Sequence, residues 1–71
     1  MTSRYLMRCK AEDLKLGDKF VAWAAEHDQY DRKGRRILDI RKLPNSVWFK
    51  TDEMEEIKTF PEMLLVVEVW A

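Results

Sequence analysis

One cysteine, one histidine, two glycines and two prolines are spread over 71 residues, and each scarcity closes off a class of chemistry. Cys9 has no second thiol with which to form an internal disulfide, and a single thiol in an apolar-flanked segment reads as a small buried hydrophobe rather than a nucleophile. His27 stands between Glu26 and Asp28. Neighbours on an extended chain point in opposite directions, so these three cannot converge on one ion, and His27 reads as a solvated loop residue. Two glycines do not build a phosphate-cradling loop, and no serine–histidine pairing is in view. The acidic group Asp52, Glu53, Glu55 and Glu56 offers paired carboxylates, but nothing marks one as desolvated and raised in pKa, as a general acid requires. No reaction, metal or cofactor is therefore expected.

Long apolar runs are also absent. Met63 to Val67 is too short to cross a bilayer, and the opening Met-Thr-Ser-Arg lacks the apolar stretch of a secretory signal. A cytoplasmic protein without a membrane partner is the expectation. The composition is 46% hydrophobic and 37% charged, the profile of a folded domain rather than a disordered tail. A chain of about 60 residues buries only roughly 60% of its unfolded surface, so 1–71 forms one domain with one core.

What the sequence does contain is alternation of period two, the signature of antiparallel strands. Arg4 to Lys10 puts Tyr5, Met7 and Cys9 on one face and Leu6 on the other. Leu14 and Leu16 anchor a turn, and Gly17 gives the backbone freedom to extend again. Asp18 to Glu26 alternates Phe20, Ala22 and Ala24 against Val21, Trp23 and Ala25, and the small residues of the first set predict that it faces inward, with Trp23 outside. Gly34 is expected at a hairpin tip in the left-handed conformation, followed by a strand over 35–43 with Leu38 and Ile40 inward. Leu43-Pro44-Asn45-Ser46 makes a β-turn, after which Val47 and Phe49 point in and Trp48 and Lys50 point out. Residues 51–60 admit two readings: a helix capped by Thr51 and stopped by Pro61, or a hairpin turning at Thr51 to Met54, and the surrounding strands favour the hairpin. One tight turn at Pro61-Glu62 leads to a last strand with Leu65, Val67 and Val69 inward.

Together these segments predict an all-β fold, a small antiparallel barrel of five or six strands with at most one or two short helical turns; the alternative is an α+β fold with a helix at 51–60. Closure removes exposed edges, which is why so few residues favour it. The stretch Ala11-Glu12-Asp13-Leu14-Lys15-Leu16-Gly17-Asp18-Lys19-Phe20 resembles the strand entry of many small β-barrels. Val47-Trp48-Phe49-Lys50 through Ile57-Lys58-Thr59-Phe60-Pro61 to Val67-Glu68-Val69 is similar to their last three strands. The likeness is to short phage and bacterial proteins with a Src-homology-3-like barrel. It implies a binding habit, such as that of a small phage-encoded modulator of a host protein, and implies no reaction. One departure is the acidic hairpin turn, where Met54 stands near the place of the usual glycine.

Formal charge is zero, yet residues 30–50 carry seven bases against two acids and residues 51–71 six acids against Lys58 alone. If the two regions are separate, each makes a local field; if they are neighbours, they cancel in part. Arg32, Lys33, Arg35 and Arg36 flank Gly34 and would project from a hairpin tip, with Arg41 and Lys42 further along the strand. Trp23, Trp48 and Trp70 are each expected outside the core, and indoles with arginines are enriched in interface hot spots. The predicted binding residues are therefore Trp23, Trp48, Trp70, Arg32, Lys33, Arg35, Arg36, Arg41 and Lys42. A protein partner is the first expectation. Nucleic acid held by the basic hairpin is the second, with Tyr30 or Trp48 as a stacking platform, and self-association into an oligomer is the third.

Overall fold

A computed structural model describes residues 2–71. Six strands form one antiparallel sheet: β1 (Arg4–Lys10), β2 (Lys19–Trp23), β3 (Arg35–Leu43), β4 (Ser46–Thr51), β5 (Glu56–Thr59) and β6 (Leu64–Trp70), in the order β1-β6-β2-β3-β4-β5. The only helical elements among the described residues are single 3-10 turns at Ala11–Asp13 and Gln29–Asp31. The fold is all-β, and residues 51–60 are a hairpin with Val47 opposite Thr59 and Lys50 opposite Glu56.

The expected barrel is not closed. The sheet bends through β3, which pairs its first residues with β2 and the remainder with β4, and β1 and β5 remain as two edges. A short segment does the work that closure would have done. Ala11 and Leu14 are completely buried, and the Ala11 and Glu12 amides donate to the carbonyls of Met63 and Pro61 at 2.9 and 3.0 Å. This plug joins Phe20, Ile37, Val47, Phe49, Leu65 and Val67 in the main core. Phe20 meets Phe49 edge to face at 5.3 Å, a geometry that adds about 1 kcal/mol beyond area burial.

Two bulges set which side chains reach that core. In β2 the register slips between Phe20, opposite Val67, and Ala22, opposite Val66. Val21 and Ala22 consequently share the back face with Val66, and Trp23 returns to the core side opposite Leu65. Trp23 is thus half-buried against the core, not outside as its parity predicts. In β3 the slip falls between Ile37 and Asp39, so Ile37 is buried and Leu38 is 51% exposed, reversing the expected inward Leu38. Val69 likewise lies 39% exposed at the end of the core face, and Leu16 points to solvent while Leu14 alone anchors its turn. Val47, Phe49, Trp48 and Lys50 keep the predicted phase.

The segment 24–34 lies over the back face rather than forming a hairpin tip. Arg4 bonds Glu68 and also donates to the carbonyls of Tyr30 and Arg32, and Gln29 Nε2 donates to the carbonyls of Ala24 and Glu26. Gly34 does not take the left-handed conformation, which falls to Gly17 at φ 90° and Met54 at φ 64°. Its lack of a side chain serves close approach instead: a Cβ there would stand 2.7 Å from the Glu68 carboxylate.

Candidate docking surface

Apolar side chains that the core does not use gather where β2 ends, β6 begins and β5 runs out. After its bulge, β2 delivers the Trp23 ring 5.4 Å from Phe20, tilted by 66°. Pro61 has no amide hydrogen to extend the β5 ladder, and Phe60 to Met63 closes a turn with the Met63 amide on the Phe60 carbonyl at 3.1 Å. That turn leaves Phe60 64%, Met63 41% and Leu64 47% exposed. With Trp23, Ala24 and Ala25 they line a groove of about 580 Å3, whose wall includes one charged side chain among the described residues, Glu62.

The groove does not end at Phe60. Phe60 is shared with a second depression lined by Asn45, Ser46, Lys58 and Thr59, and Ser46 and Lys58 are shared with a third that holds Trp48, Arg41, Leu43 and Glu56. One continuous surface therefore leads from Trp23 round the free edge of β5 to Trp48. Strand pairing places Arg41 and Lys58 on either side of Trp48, and the Arg41 guanidinium lies 5.3 Å from the centre of its ring. An exposed contact of that kind contributes about 0.5–1 kcal/mol.

Trp70 belongs to the opposite side. It is half exposed and donates its Nε1 hydrogen to Glu68 at 2.7 Å. The Glu68 side chain is only 7% exposed. Burial pushes its carboxyl up, but the bonds from Trp70 and Arg4, with the charges of Arg4 and Lys19, more than offset this and hold it below the ordinary glutamate range.

The basic hairpin is dismantled by its own neighbours. Arg32 pairs with Glu26 at 3.2 Å and Asp28 at 3.1 Å. Arg35 takes both Glu55 oxygens at 2.6 and 2.7 Å, donates to the Val21 carbonyl and covers the Phe20 ring at 4.8 Å. Glu55 also accepts from Thr51 Oγ1, so one member of the acidic group 52–56 is a structural partner. Lys33, Arg36 and Lys42 are exposed and, among the described residues, make no ion pair.

Among the described residues no group of three or more His, Cys, Asp or Glu side chains converges as ligands, and His27 is exposed. Cys9 packs half-buried against the core, and burial, followed by the charges of Asp18 and Asp13, pushes its thiol above the ordinary value. Of the predicted binding residues, then, Trp23, Trp48 and Arg41 come together on one surface, whereas Trp70, Arg32 and Arg35 are tied elsewhere. Phe60, Met63 and Leu64 complete that surface and were not among the residues the sequence singled out. Their one sequence signal is apolar side chains bracketing Pro61 in a connection. Among the described residues no helix is long and apolar enough to cross a membrane. Comparison with family models, curated proteins and solved structures found no match to this chain.

Proposed function

We propose that the chain is a non-catalytic binding module that docks on another protein through the surface running from Trp23 across Phe60 to Trp48. The observation that carries this reading is the exposure of Phe60, Met63 and Leu64 beside a half-buried indole. Small apolar depressions walled by aromatic side chains accept a partner's anchor residues, and the centre of an interface is where desolvated aromatics contribute most. Arg41 and Lys58, flanking Trp48, supply the polar rim that fixes orientation. Nucleic acid is the weaker reading, because Arg32 and Arg35 already hold carboxylates that a phosphate would have to displace.

The test is affinity capture from the native cell with the intact chain, Phe60→Ser and Trp48→Ala, run with and without nuclease. Both substitutions alter exposed or half-exposed side chains, and circular dichroism checks that each variant stays folded. A protein retained by the wild type after nuclease treatment and lost from folded Phe60→Ser supports the reading. Undiminished capture by both variants sinks it, and capture that nuclease abolishes transfers the function to nucleic acid.

A further inference from the structure

Among the described residues, β1 is an edge strand of seven residues whose outer side no other strand meets. Its hydrogen-bonding groups divide by parity. Ser3 and Ala71 exchange both amide–carbonyl bonds, at 2.7 and 3.0 Å, and the Ala11 amide donates to Met63. Bonded pairs alternate along an antiparallel ladder, so Tyr5, Met7 and Cys9 are bonded to Val69, Val67 and Leu65. The amides and carbonyls of Leu6 and Arg8 therefore face outward.

The side chains divide in the same way. Tyr5 and Met7, each 54% exposed, lie on the core face beyond the covered part of the sheet. Arg8 and Lys10 lie exposed on the other face and, among the described residues, pair with no acid, since Glu68 holds Arg4. In the registers that pair the middle of the strand, this layout argues against a second copy. An antiparallel dimer that keeps its faces aligned and centres on Leu6 puts Arg4 opposite Arg8. Centring on Met7 sets Arg4 against Lys10, and centring on Arg8 sets that residue against itself. Like charges directly opposite are destabilising, and bases on an edge are a known guard against self-pairing.

We propose that β1 accepts an extended segment of another protein in which acidic and apolar residues alternate, added as a seventh strand. Its acids lie opposite Arg8 and Lys10, its apolar side chains cover Tyr5 and Met7, and the main-chain bonds go to Leu6 and Arg8. This surface is distinct from the Trp23 to Trp48 surface and stands or falls separately.

The probe is a short capped peptide alternating glutamate with valine, titrated into the intact chain and followed by amide hydrogen exchange. Binding should slow exchange at Leu6 and Arg8 and leave Tyr5 and Met7, already bonded, as they were. Replacing glutamate by lysine, or the central valine by proline, should abolish binding. Arg8→Glu combined with Lys10→Glu should weaken it about tenfold or more, and Phe60→Ser should leave it unchanged. Failure to bind, binding without protection of those two amides, or loss of binding in Phe60→Ser would each overturn the proposal. So would protection of Leu6 and Arg8 that rises with protein concentration when no peptide is present, which would make the occupant a second copy.

Discussion

Met54 occupies a backbone conformation that an L side chain adopts at a cost. It sits at φ 64° in the turn between β4 and β5, with its amide on the Thr51 carbonyl at 3.0 Å and the Thr51 amide on the Glu55 carbonyl at 3.0 Å. Left-handed geometry costs an L residue about 1–2 kcal/mol, whereas glycine adopts it freely. Glycine returns about 0.4–1 kcal/mol of that through its greater freedom in the unfolded chain. Met54 is 67% exposed, so most of its surface is wet already and little packing is lost on truncation. Met54→Gly should therefore be more stable than Met54→Ala by about 1 kcal/mol, the reverse of the order found at an ordinary turn or strand position. For a domain of this size that difference is about 4–8 °C in Tm. Thermal and urea unfolding of the wild type, both variants and Met54→Asn, which tolerates this region better than alanine, will read the order directly. If the alanine variant is as stable as the glycine variant, the strain assigned to the turn is not there.

Three further outcomes follow from the clasp on the back face and from the tryptophans. Gly34→Ala should cost about 1–3 kcal/mol, because its Cβ meets a Glu68 carboxylate that Arg4 and Trp70 prevent from moving aside; in urea unfolding, adding Glu68→Ala should recover part of that loss. Glu68 has its folded-state pKa lowered, so its contribution is present at neutral pH and drains away as pH falls below about 4.3, the value of an unperturbed glutamate. The stability gap between wild type and Glu68→Gln should accordingly narrow between pH 7 and pH 3, and a constant gap would contradict the assignment. Trp23→Ala, which strips a ring from Phe20 and the core, should cost about 2 kcal/mol, against about 1 kcal/mol for Trp48→Ala; equal losses in urea unfolding would place both indoles in one environment.

How much of this was legible in the sequence depended on whether alternation was unambiguous. In β4 the apolar and polar residues take turns from Ser46 to Thr51, and a one-residue slip would bury Lys50, so Val47 and Phe49 read correctly. From Phe20 to Ala25 every residue is apolar, and nothing in the pattern marks the bulge at Val21 that returns Trp23 to the core side. The same holds at Leu38, where either parity of β3 offers an aliphatic residue. Hairpins were readable from local chemistry at Pro44-Asn45. Closure was not, because it depends on whether β1 and β5 meet, and the plug at Ala11 and Leu14 fills the core without that meeting. The surface residues Phe60 and Met63 escaped notice for a related reason: apolar side chains in a connection have no periodicity to flag them.

Charge was the least legible property, and it bears most directly on function. A run such as Arg32 to Arg36 looks like a phosphate-tracking finger only while its counter-ions are unknown. Arg35 reaches Glu55, twenty positions away, and Arg4 reaches Glu68, sixty-four away, and no local pattern announces either pair. The Arg35–Glu55 pair also ties the basic stretch to the acidic one, so the opposed charges of 30–50 and 51–71 cancel in part rather than making separate fields. A phosphate at Arg32 or Arg35 would have to compete with a carboxylate already in place, and those acids stay partly exposed to water. Of the seven bases between Tyr30 and Lys50, five (Lys33, Arg36, Arg41, Lys42 and Lys50) make no ion pair among the described residues, and one of these, Arg41, lies against Trp48. What the fold leaves unspent is apolar surface between Trp23 and Trp48 and the outer backbone of β1, the two surfaces on which the proposed docking and the proposed strand addition rest.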